Sequence, residues 1–132
     1  MTPALPDILI GQAVALTTPL PPEAGPDYLA GRAGLLAMLA TLAAQEAVKG
    51  VAARVWENRA IADLLARAGQ ESSPPSDDLS WRALDAVNAD LRRQLIAVHE
   101  AAEARGDLAQ QRVILQLYRD MAAARRLDLA AG

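Results

Sequence analysis

LSWRALDAVNADLRRQLIAVHEAAEAR, residues Leu79–Arg105, is the stretch that decides the fold. Trp81, Leu84, Asn88, Leu91, Leu95, Val98 and Ala102 recur at alternating spacings of three and four. That is the stripe a helix turns toward a bundle core, and a strand with its period of two cannot keep these residues on one face. Gly106-Asp107 follows at once. A glycine suited to a left-handed C-cap stands directly before an aspartate suited to an N-cap, which is the signature of a tight helical hairpin. The spacing predicts a last helix from Leu108 to about Leu127, burying Ile114, Leu117, Tyr118 and Met121.

Upstream, QESSPPSDD (70–78) reads as a loop crowded with possible N-caps. Before it the pattern is helical from Pro26 to about Ala68, with Gly69 placed as a cap. Gly50 interrupts this stretch. One interior glycine costs only about 1 kcal/mol, so one long helix or two shorter ones both fit. No proline or turn cluster accompanies Gly50, which favours one helix. Pro6 and Asp7 open a short helix to about Leu16, apolar nearly all round: Leu5, Ile8, Leu9, Ile10, Val14 and Leu16. The segment TTPLPPEAGP (17–26) holds four prolines and is predicted to be a stiff, extended linker. The predicted fold is all-α: a helical bundle of long antiparallel helices with a short N-terminal helix on a Pro-rich linker. It is read as a single domain over residues 1–132, with residues 1–25 as helix and linker and 26–132 as the bundle.

Composition agrees. The 132 residues are 52% apolar, which excludes a disordered chain, yet the aromatics are only Trp56, Trp81, Tyr28 and Tyr118. Alanine and leucine must fill the core, and both favour helix. The net charge of −3 supplies no global attraction for nucleic acid. There is no cysteine, so disulfides and thiolate metal sites are excluded. The N-terminus lacks the basic start of a signal peptide. The longest uncharged run in the long helix, Ala33–Gln45, is shorter than the about 20 residues a bilayer span requires. These features predict a cytoplasmic protein that contacts neither membrane nor nucleic acid.

Five features could carry function. Ala30, Gly34, Ala37, Thr41 and Ala44 form a seam of small residues that lets another backbone approach closely, either within the chain or from a second copy. Asn88 stands at a core position of the heptad stripe, where a polar residue fixes register; a ligand contact inside the bundle is the alternative. Arg105, Arg112, Arg119 and Arg126 recur every seven residues, with Arg125 beside the last. The line could grip an anionic ligand, or it is a solvated face. Arg54, Glu57, Asn58 and Arg59 surround Trp56 as a polar patch that lines a pocket or lies open on a helix face. His99 and Glu103 share a face at i and i+4, but two ligands do not make a metal site, and no metal or cofactor is expected. No nucleophile–base pair, phosphate loop or catalytic residue is evident.

Three stretches, GRAGLLAMLATLAAQEAVKG, IADLLARAG and LDAVNADLRRQL, resemble an uncharacterised bacterial all-helical family encoded beside acyl-CoA dehydrogenases and small-molecule-kinase-like phosphotransferases. The resemblance covers about half the chain and implies an accessory role beside such an enzyme. It brings no catalytic residues with it, and the N-terminal helix, linker and QESSPPSDD loop lie outside it. The function expected from the sequence is a non-enzymatic accessory or interaction module that forms a homo-oligomer and takes a protein partner. The alternative is a bundle that binds a small anionic ligand through Arg112, Arg119 and Arg126 or through the patch of Trp56 and Asn58, with Asn88 as a further contact.

Overall fold

A computed structural model describes residues 5–72, 74 and 76–128. Most of these residues lie in four helices: α1 (Leu5–Thr17), α2 (Pro26–Arg67), α3 (Trp81–Ala104) and α4 (Leu108–Ala124). The described residues are 79% helical, with no strand among them, so the all-α reading holds. α2 runs unbroken through Gly50 for 42 residues.

The helix ends follow local chemistry. Ser80 caps α3, its hydroxyl accepting from the Ala83 N–H. Asp107 caps α4 in the same way through the Gln110 N–H at 3.0 Å. Between them Gly106 takes φ +66, and Asp107 N–H donates to Ala102 O while Gly106 N–H donates to Glu103 O. Those two bonds are the left-handed closure that only glycine adopts without steric cost. Gly69, at φ +75, closes α2 by the same pair of bonds, to Leu65 O and Ala66 O.

The chain divides into two compact units, and the division falls inside α2. One unit is Lys49–Arg126, the second part of α2 with α3 and α4. Its core is Ile61, Leu64, Leu65, Leu91, Leu95, Val98, Ile114, Leu117 and Met121. The heptad stripe of α3 is buried as predicted, Asn88 included, with one correction: Trp81 is half-buried. It opens the helix, and its ring packs on the Arg54 guanidinium. Tyr118 is likewise half-buried at the core's edge, and α4 stops at Ala124, short of Leu127.

The other unit takes the described residues up to Val48 together with Leu127 and Asp128. Here α1 lies along the first part of α2: the Gln12 side-chain amide donates to Leu36 O at 3.1 Å. The linker departs from the extended course expected of it. Ala24 N–H donates to Pro21 O, closing a turn at Pro22-Glu23 that returns the chain on itself. Gln45 and Asp128 exchange two hydrogen bonds, side-chain amide to backbone carbonyl at 2.7 Å and backbone N–H to amide oxygen at 2.8 Å.

Candidate functional site

Among the described residues, the concentration of buried charged and polar side chains lies within the Lys49–Arg126 unit. Ile61 and Leu65 face the core of that unit from α2. Moving toward the N-terminus along the same face at helical spacing lands on Asn58, Glu57 and Arg54, and all three are buried. Asn88 meets them from the α3 stripe, and Arg92 stands one turn further on α3. α4 contributes Arg125, its C-cap residue, one turn beyond the buried Met121.

Glu57 is the centre, and its side chain has no solvent exposure. Its Oε1 accepts from Asn88 Nδ2 at 2.9 Å and from Arg92 Nε and Nη2 at 2.9 and 2.6 Å. Its Oε2 accepts from Arg125 Nε at 2.5 Å. Asn88 links the groups: its amide also donates to Asn58 Oδ1 at 2.8 Å, and its carbonyl oxygen accepts from Arg125 Nη2 at 3.3 Å. Asn58 in turn donates to Leu84 O. Glu57 and Asn58, neighbours on α2, therefore hold a network that ties all three helices of this unit together.

A second ion pair adjoins it, with its arginine buried and its aspartate partly exposed. Arg54 donates from Nε to Asp85 Oδ1 at 2.6 Å and from Nη1 to Gly50 O at 3.2 Å, with its guanidinium carbon 4.0 Å from the centroid of Trp81. The indole face supplies a cation–π contact on a surface that water would otherwise hydrate.

Burial alone would push the Glu57 carboxyl up. The hydrogen bonds from Arg125, Asn88 and Arg92, with the charge of Arg125, outweigh it and hold the carboxyl below its ordinary value. Glu57 is thus an ionised acceptor and offers no proton at neutral pH. No buried side-chain polar atom among the described residues lacks a partner. Tyr118 is pushed the other way by burial, an effect Arg92's charge partly offsets, so its hydroxyl stays protonated. Its ring leans on that of His99, with centroids 5.6 Å apart. His99 reaches Glu103 only at 3.7 Å, and among the described residues no three metal-ligating side chains gather. Beside Asn58 a pocket of about 50 Å³, walled by Val55, Ala62, Leu84 and Leu91, has room for a few waters.

The residues singled out from the sequence separate. Asn88 and Asn58 join the network. Trp56, between Arg54 and Asn58 in sequence, points outward and is 41% exposed, so the patch read around it is divided between two faces of α2. Arg112, Arg119 and Arg126 are exposed. The arginine of α4 that reaches the network is Arg125, one residue off the seven-residue repeat and in register with Ile114, Leu117 and Met121. That register is the sequence signal that points to it. Arg92 carries a similar signal, as a polar residue beside the largely apolar stripe of α3.

The fold and site together define a three-helix unit with a hydrogen-bonded Glu-Arg-Asn interior, joined by a continuous helix to an apolar helical hairpin. No protein family, curated protein or solved structure matches the chain.

Proposed function

We propose that this chain is a non-enzymatic, self-associating helical protein whose apolar N-terminal hairpin is the association surface. One observation carries the reading: α1 is apolar nearly all round, yet none of its residues is buried. Ile10, Val14 and Leu16 are 63%, 58% and 71% exposed. The first part of α2 is little better covered, with Leu35 and Met38 exposed, and the whole small-residue seam (Ala30, Gly34, Ala37, Thr41, Ala44) faces solvent. Large apolar side chains left exposed together on one pair of helices support an interaction site there.

The magnitudes support a second copy. A half-exposed Leu, Ile, Val or Met gains about 1 kcal/mol on being covered. Six such side chains from each of two chains give about 12 kcal/mol, against an association cost of about 4–15 kcal/mol. Self-association is therefore sustainable only if both helices take part, and a twofold dimer is the simplest closed form. The turn at Pro22-Glu23 holds α1 beside its own α2, so the pair would associate as a hairpin, not by one helix reaching across to a neighbour. An accessory role beside an acyl-CoA or phosphoryl-transfer enzyme is the partner that the family resemblance adds.

Lipid is the competing cover. An 18-residue window of α2 has mean hydropathy 1.4 with only 11% of it buried, long and apolar enough to cross a membrane by length and composition. Light scattering and liposome flotation separate the two. The full chain is expected to be dimeric or larger at high micromolar concentration and to stay with the aqueous fraction. A chain beginning at Glu23 should associate more weakly. A full-length monomer defeats the proposal, and flotation with neutral liposomes transfers the surface to lipid.

A further inference from the structure

Glu57 is one carboxylate faced by two guanidinium groups. A single arginine neutralises a buried carboxylate, so the second leaves the cluster with a formal charge of +1, in a protein whose own net charge is −3. The neighbouring Arg54–Asp85 pair is neutral and does not alter this balance. The surplus is also held in place. Arg92 is fixed through Nε and Nη2, and Arg125 through Nε and Nη2, which commits one edge of each planar group to the network. A guanidinium carries five N–H donors in a rigid fork. Nη1 of each therefore has no partner among the described residues, and the two side chains are 45% and 25% exposed. Both side chains thus meet solvent while anchored to one buried acceptor. Their rotamer freedom is already lost in the folded protein, so an incoming anion need not order them. Arg112 and Arg119, exposed on α4, have no such support among the described residues.

We infer that Arg92 and Arg125, seated on Glu57, form a binding site for a small oxyanion, a carboxylate or a phosphate group, at the juncture of α3 and the C-terminus of α4. The anion takes the outward N–H donors of both guanidiniums in charge-assisted hydrogen bonds and neutralises the cluster's surplus. This inference does not depend on self-association.

The test is a titration of the full-length protein at low ionic strength with inorganic phosphate and, separately, with acetate. It is followed by calorimetry and by the arginine Nε–H resonances in NMR spectra. Saturable binding is expected with a Kd on the order of 1 mM, with the Arg92 and Arg125 Nε–H signals moving along the binding curve. Phosphate binding tighter than acetate identifies the phosphoryl class, and the reverse order the carboxylate class. Arg92→Lys and Arg125→Lys keep a positive charge beside Glu57 but remove the fork, and each should weaken binding by about tenfold. The Arg112→Gln/Arg119→Gln double variant should bind as the wild type does. Absence of saturable binding overturns the inference. So does binding that persists in both lysine variants, or binding that vanishes in the Arg112/Arg119 variant.

Discussion

The Lys49–Arg126 unit and the hairpin of α1 with the first part of α2 are both helical, and both are rich in alanine and leucine. They differ in where those residues go. In the first, Ile61, Leu65, Leu95 and Ile114 have no exposure, and even a carboxylate is enclosed and matched bond for bond. In the second, Ala43 is the one buried apolar side chain among the described residues, while Ile10, Val14, Leu16 and Val48 are mostly in solvent. Helix formation is satisfied in both, because it is local. Burial is satisfied in one only. A helix can thus be fully specified by its local sequence while most of its apolar surface stays uncovered.

The largest effect expected from this contrast is at Glu57. Glu57→Ala removes the acceptor and leaves Arg92 and Arg125, which are 45% and 25% exposed, without their shared partner. Breaking a fully buried pair from one side costs about 3–5 kcal/mol, and the partial exposure of the two arginines sets the expected loss at the lower end of that range. Urea unfolding followed by circular dichroism should show it, and a loss under about 1 kcal/mol would mean that water enters the network freely. The pH dependence has a definite sign. The Glu57 carboxyl is held below its ordinary value of 4.5 in the folded protein. Its stabilising contribution is therefore complete above that value and is lost as pH falls through the lower, folded-state value. Glu57→Gln should flatten the stability profile between neutral and acid pH.

The next effect separates the two regions directly. Leu95→Ala, at a position with no exposure, should cost about 2–5 kcal/mol in unfolding. Val14→Ala, at 58% exposure, should cost the monomer little, within about 0.5 kcal/mol. Self-association reverses the ranking: Val14→Ala should weaken it measurably in sedimentation experiments, and Leu95→Ala should leave it unchanged wherever the variant remains folded. Equal effects of the two on association would remove the division of labour proposed for them.

Much of the closed unit is legible in the sequence. The alternation of three and four on α3 places Leu84, Asn88, Leu91, Leu95 and Val98 correctly, because an amphipathic stripe leaves one solution for which face turns inward. The Gly106-Asp107 pair locates the hairpin for an equally local reason. The network is only half legible. Asn88 stands out as polar on an apolar stripe, but Glu57 and Arg54 sit where the α2 stripe is already mixed, and their polarity reads as solvent exposure until partners are known. A seven-residue repeat draws attention to Arg112, Arg119 and Arg126, which are exposed, while Arg125, one residue off that repeat, reaches the distant Glu57. The turn at Pro22-Glu23 escapes a reading of the sequence because proline excludes helix without choosing between extended chain and turn.

The smallest effect is the most discriminating, because its sign depends on what covers the hairpin. Gly34 lies in mid-helix on the small-residue seam, and a Cβ built there meets nothing within 4 Å. In an isolated chain Gly34→Ala can only help: it removes a flexible residue from a helix and should stabilise it by about 0.5–1 kcal/mol. In an assembly whose seams pack backbone to backbone, the added methyl stands in the contact. Small residues there allow the close approach, and overfilling such an interface costs about 1–3 kcal/mol. The variant should therefore gain helix stability at low concentration, where chains are separate, and lose association at high concentration. Thermal melts at two concentrations, with sedimentation equilibrium alongside, read both signs. A variant that melts higher and associates as well as the wild type would take the seam out of the interface, leaving α1 and the leucines beside the seam as the contact surface.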